Sequence, residues 1–94
     1  MIDIKALAEK KKNFASRQVG EELILVPLKD NVAEMNEMFT LNEVGCFIWE
    51  NMDENKTMED IENAIRLEFD GEDQEIQAGL AEFLEKLSGY ILKY

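Results

Sequence analysis

The chain has no histidine, one cysteine, one proline, and fewer than half as many bases as acids. Without histidine, no Ser-His-Asp or Cys-His arrangement can form, and the commonest metal ligand is missing. Cys46 alone allows no intrachain disulfide, which fits a reducing compartment. Pro27 is the single proline, and neither a low-complexity run nor an internal repeat is present. No apolar run approaches the ~20 residues of a membrane span. Asp3, Lys5 and Glu9 interrupt the N-terminus where a secretory signal needs an unbroken apolar region. A soluble, cytoplasmic protein with no membrane contact is the expectation.

The shortage of bases is uneven along the chain. Residues 1–19 hold five bases and two acids, whereas residues 20–94 hold nineteen acids and five bases. The net charge of −11 repels phosphate, so nucleic acid and anionic membranes are poor partners. A solvated acidic surface that aids solubility also explains this charge without any function.

What is present describes one globular domain. Hydrophobic residues make up 46% and charged residues 33% of the 94 positions, enough to bury roughly 60–70% of the unfolded surface. Residues 1–12 carry Ile4, Leu7 and Ala8 at helical spacing, then three lysines, and fit a short helix, a tail or a partner contact. Phe14–Val19 and Glu22–Leu28 read as strands of a hairpin turning near Gly20. Pro27 cannot donate to a ladder, so the second strand is expected to end or turn outward there. Lys29-Asp30-Asn31 reads as a loop. Asn36-Glu37 sits between Val32–Met35 and Met38–Leu41 at a two-residue hairpin spacing.

The chain is organised around Met38–Trp49. Met38–Leu41 reads as the third main strand, Asn42 as an N-cap, and residues 43–52 as a helix with Val44, Ile48, Trp49 and Met52 on one stripe. Thr57 and Asp60 form a capping box for a second helix with Met58, Ile61, Ala64, Ile65 and Phe69 apolar. A third helix is predicted from Asp73 through Ile76, Leu80, Phe83, Leu84 and Leu87, ending at Ser88-Gly89, with Tyr90–Tyr94 as an extended tail. Three strands followed by three helices make an α+β domain of winged helix-turn-helix type, with a three-stranded antiparallel sheet. Residues 13–94 are its extent.

Most chemical motifs fail. Cys46 lies on the apolar stripe and reads as a small buried hydrophobe, and the carboxylates fall on solvent faces without an apolar pocket. The Asp53–Thr57 stretch fails as a calcium loop, with Met58 where glycine is needed and Ala64 where a glutamate is needed. Asn55-Lys56-Thr57 matches the glycosylation sequon, but Thr57 is explained as a cap. No catalytic residue, metal ligand or cofactor is expected. A winged-helix transcription regulator is the alternative of another class, yet residues 73–88 carry Asp73, Glu75, Glu82 and Glu85 against Lys86, the wrong sign for a DNA-reading helix. A scaffold or oligomerisation domain, with a homodimer among its forms, is a third option. A peptide surface remains: if Met38–Leu41 lies at a sheet edge, an extended peptide can add to it, with the third helix as the second wall. Phe39, Leu80 and Leu84 equally suit the core.

Leu23–Pro27 followed by Phe39-Thr40-Leu41-Asn42-Glu43-Val44-Gly45-Cys46-Phe47-Ile48-Trp49-Glu50 resembles the PqqD-like family, and Lys56–Ile61, Phe69-Asp70 and Phe83–Leu87 follow at that family's spacing. Leu41, Asn42, Gly45 and Trp49 form its most specific core. Asp53-Glu54 departs from the family's usual Asp-Gly, and Cys46 from its usual small residue. The resemblance implies a non-catalytic RiPP precursor peptide recognition element. Such a module holds the leader of a ribosomally made precursor and presents it to a radical SAM protein or other maturation enzyme. It also implies that the leader pairs with Met38, Phe39, Thr40 and Leu41. Geometry then nominates Ile76, Gln77, Leu80, Ala81 and Leu84 as the helix wall.

Overall fold

The computed structural model describes residues 3–29, 32–33 and 35–93. Asp30, Asn31, Glu34 and Tyr94, within the loop, strand and tail expected above, lie outside the described residues, as do Met1 and Ile2. The order is helix α1 (Ile4–Lys10), strands β1 (Phe14–Val19), β2 (Glu22–Lys29), β3 (Val32–Ala33) and β4 (Phe39–Leu41), then helices α2 (Glu43–Asn51), α3 (Met58–Glu68) and α4 (Asp73–Ile91). Short 3-10 turns cover Lys11–Asn13 and Met35–Glu37. The N-terminal segment is thus a helix, capped by the Asp3 side chain.

β2 is the shared strand. β1 pairs with it antiparallel from Val19↔Glu22 to Phe14↔Pro27, while β4 pairs with Leu23–Leu25 and β3 with Leu28–Lys29. Gly20, at φ +62, opens the two-residue connection of the first hairpin, a conformation glycine adopts without a Cβ penalty. The expected hairpin at Asn36-Glu37 does not form: β3 and β4 pair with β2, not with each other. Glycine is absent from Asn36-Glu37, so nothing there favours the primed turn that a two-residue hairpin needs.

β2 also continues through Pro27, contrary to expectation. The residues flanking a two-residue hairpin turn exchange backbone hydrogen bonds, and the pattern alternates from there. From Val19↔Glu22, the even-numbered residues of β2 therefore bond toward β1 and the odd-numbered ones toward β3 and β4. Pro27 is odd, and its missing N–H falls between the β4 ladder, which reaches Leu25, and the β3 ladder, which begins at Leu28. Among the described residues, the proline costs no ladder bond.

One apolar core joins sheet and helices: Ile4 and Leu7 from α1, Phe14, Leu23, Leu25 and Leu41 from the strands, and Ile48, Trp49, Ile61, Ile65, Leu80, Leu84, Leu87 and Ile91 from α2 to α4. The last helix does not stop at Ser88-Gly89. Leu84, Leu87 and Ile91 continue one buried stripe, and that burial outweighs the ~1 kcal/mol that an internal glycine costs a helix.

The caps are as the sequence implies. Asn42 accepts from the Gly45 N–H at 2.8 Å. Thr57 and Asp60 cap each other's backbone. The opposite end of α2 is closed by a residue far away in sequence: Lys11 donates from Nζ to the carbonyls of Trp49 (2.8 Å) and Met52 (3.2 Å) and lies 5.4 Å from the Trp49 ring centre. A cation is well placed at a helix C-terminus. Loss of water around Lys11 nevertheless holds its pKa below the ordinary lysine value, against the raising effect of Asp53 and Glu50. The cap's gain is therefore partly cancelled. Lys11→Ala is expected to lower stability by about 1 kcal/mol, or ~4–8 °C in Tm for a domain of this size, as read by thermal unfolding.

Candidate peptide-binding edge and cavity

β4 pairs with β2 on one side, and among the described residues nothing pairs with its other side. The hydrogen-bond alternation fixes which groups are free. Leu23 and Leu25, odd-numbered in β2, exchange bonds with Leu41 and Phe39, so Ile24↔Thr40 is the non-bonded pair. The N–H and C=O of Thr40 consequently point away from β2, at the open edge. The Thr40 side chain is exposed, whereas Leu41 is buried and Phe39 half-buried. Met38, just before the strand, is 50% exposed.

An aromatic series supports this strand from below. The Phe39 ring lies 4.8 Å from that of Tyr90, Tyr90 lies 5.5 Å from Phe14, and Phe14 meets Trp49 edge-on at 6.2 Å. The Tyr90 hydroxyl donates to the Glu37 carbonyl, with the Leu25 carbonyl 3.5 Å away. Tyr90 thereby ties the backbone entering β4 to α4.

The predicted helix wall is split by the structure. Ile76, Leu80 and Leu84 are buried, Leu84 completely. Gln77 and Ala81 are exposed. They lie roughly 120° and 160° around α4 from Phe83, at 3.6 residues per turn. Phe83 and Tyr90 mark the flank of α4 turned to α2 and β4, because Phe83 lies against Gly45 and Tyr90 against Phe39. Gln77 and Ala81 therefore stand on the other flank. Phe83, Gly79 and Tyr90, which sequence reasoning did not place on that wall, are the α4 residues that lie against Gly45, line the cavity beyond β4 and meet Phe39, respectively. One signal pointed to Phe83: a glycine inside a helix, Gly45, implies a close neighbour, and a Cβ there would sit 2.9 Å from Phe83 Cε1.

Beyond the C-terminal end of β4, a cavity of about 310 Å³ opens between the start of α2, the end of α3 and the start of α4. Asn42 and Gly45 line it on one side, Phe69 and Asp70 on another, and Glu75, Ile76, Gly79, Leu80 and Phe83 on the third.

Cys46 is buried, with Sγ 3.7 Å from Gln18 Oε1 and 3.6 Å from Glu50 Oε1. Burial first, then the Glu50 carboxylate, pushes its pKa up, so at neutral pH it is a thiol and a poor nucleophile. Alkylation by a maleimide at pH 7 is expected to be roughly tenfold or more slower than that of free cysteine, and to speed up only on unfolding. Among the described residues, no group of three or more histidine, cysteine, aspartate or glutamate side chains could hold a metal, and no helix is long and apolar enough to cross a membrane.

Residues 22–92 match the model of the family described as Coenzyme PQQ synthesis protein D (PqqD). Comparison with curated proteins gives no match. Among solved structures, "TbiB1 in Complex with the TbiA(beta) Leader Peptide" is similar, with 27% identity and a TM-score of 0.65, over 82% of this chain and 84% of that one.

Proposed function

Because the chain belongs to the PqqD family, we propose that it is a non-catalytic recognition module that captures the leader of a ribosomally made precursor peptide by strand addition to β4. The open edge at Thr40 carries this reading: its N–H and C=O are free of β2, and the similar TbiB1 structure holds a leader peptide. An added strand gains affinity from backbone bonds and specificity from side-chain pockets. Met38, Phe39, Thr40 and Leu41 supply the edge. Phe83 and Tyr90 supply the α4 wall in place of Gln77 and Ala81, and Ile76 and Leu80 serve from within the cavity.

On this reading β2 and β4 with α2–α4 form a winged helix whose reading helix has exchanged DNA for peptide. The exposed Asp73, Glu75, Glu82 and Glu85 of α4 face solvent with Lys86 already paired to Glu82 at 3.2 Å, which disfavours phosphate. The module works by proximity, holding the precursor's core near a radical SAM protein or other maturase at an effective concentration of up to about millimolar. Amide NMR tests it. Peptides enriched from a random display library should shift the Thr40 amide first, and shifts confined to other surfaces would overturn strand addition at β4.

A further inference from the structure

β4 is short for the task that strand addition sets it. It has three residues, and the bonded pairs Leu23↔Leu41 and Leu25↔Phe39 tie it to β2. Within it, Thr40 alone turns both backbone groups outward. The peptide plane before Phe39 adds one more group. Phe39 N–H bonds inward to Leu25, so the Met38 C=O, antiparallel to it across a planar trans peptide, points to the open edge. Met38 has no ladder pair among the described residues. That carbonyl is therefore held in line by something other than the sheet.

The hold comes from α4, which reaches this point because it continues past Ser88-Gly89. The Tyr90 hydroxyl donates to the carbonyl of Glu37, the residue before Met38, and lies 3.5 Å from the Leu25 carbonyl. Glu37 ends the 3-10 turn Met35–Glu37, where a carbonyl has no partner within the turn. The Tyr90 ring lies 4.8 Å from that of Phe39 and 5.5 Å from that of Phe14. One side chain thus meets β1, β2 and both ends of the step into β4. We infer that Tyr90 is a positioning residue for peptide capture: its hydroxyl fixes the Glu37–Met38 backbone so that the Met38 C=O and the Thr40 N–H and C=O stand in line for an added strand. This deepens the strand-addition reading and rests on it. The hydroxyl acts through Glu37, without touching the peptide. When it is lost, only the fraction of molecules with all three groups aligned is ready to bind, and affinity falls by that fraction.

Tyr90→Phe allows the test, because it keeps the ring against Phe39 and Phe14 and removes the donor alone. Lys11→Ala is the control: it weakens the fold at the far end of α2, with no contact to β4. Both variants and Thr40→Pro, each verified as folded by circular dichroism, are titrated with a peptide selected on the wild type from a random display library. Tyr90→Phe should bind about three- to tenfold more weakly, the net worth of one hydrogen bond, and associate more slowly. In the free variant, NMR relaxation dispersion should show millisecond exchange at the Phe39 and Thr40 amides that the peptide quenches. Lys11→Ala should bind within about twofold of the wild type and show no such exchange. Wild-type affinity in Tyr90→Phe, a weakening matched by Lys11→Ala, or a weakening without exchange in β4 overturns the positioning role; if Thr40→Pro still loses the peptide, strand addition stands. A peptide indifferent to Thr40→Pro overturns strand addition itself. A selection that enriches nothing counts against both.

Discussion

Thr40→Pro should abolish peptide binding while leaving the domain folded. The two halves of that expectation have separate causes. The ladder between β2 and β4 is carried by Leu23↔Leu41 and Leu25↔Phe39, and the Thr40 N–H points the other way. Proline at an edge-strand position facing outward removes no internal bond. The residue before it, Phe39, is already in a strand, as a residue preceding proline prefers. An incoming strand, however, loses a donor and meets the pyrrolidine ring at its centre of contact. We expect roughly a hundredfold or greater loss of affinity in a fluorescence anisotropy titration with a library-selected peptide, with a thermal unfolding midpoint within a few degrees of the wild type. Thr40→Val, which keeps the N–H and suits a strand, should bind within about threefold of the wild type. Wild-type affinity in a folded Thr40→Pro protein would sink the edge as the binding element.

What could be read from the sequence, and what could not, divides by the distance over which the deciding contacts act. Asn42 with Gly45 and Thr57 with Asp60 were legible because a cap is decided within three residues. The Phe14–Lys29 hairpin was legible because Gly20 marks the turn. Pro27 and Gly89 were misleading for one reason. Each is locally unfavourable, and each is overruled by packing that lies elsewhere: the gap between two ladders for Pro27, the buried Leu84–Leu87–Ile91 stripe for Gly89. Lys11 gave no local sign of its role, since it caps a helix end 38 and 41 positions away. Which flank of α4 meets β4 was hidden for a rotational reason. The apolar stripe of α4 is broad enough that its sequence does not say which flank meets β4. That choice is made by Phe83 against Gly45 and Tyr90 against Phe39, contacts between elements that are separate in the chain.

The same rotation separates core from groove, and Leu84 is where the two make opposite predictions. If Leu84 lined the groove, truncating it would weaken peptide binding and leave stability nearly intact. Its side chain is instead 0% exposed, in the cluster that joins Leu25, Leu41, Ile48 and Leu87. It does not line the cavity beyond β4, whose nearest α4 members are Leu80 and Phe83. Truncation there removes buried methyl groups and leaves a void that rigid neighbours from sheet and helices cannot close. Leu84→Ala should therefore cost about 3–4 kcal/mol in urea unfolding, a large share of the ~5–15 kcal/mol that holds a domain of this kind together. Its folded fraction, isolated at low temperature, should still bind a selected peptide within about threefold of the wild type, because no atom of the edge has changed. A variant that melts like the wild type but has lost the peptide would move Leu84 from the core to the groove.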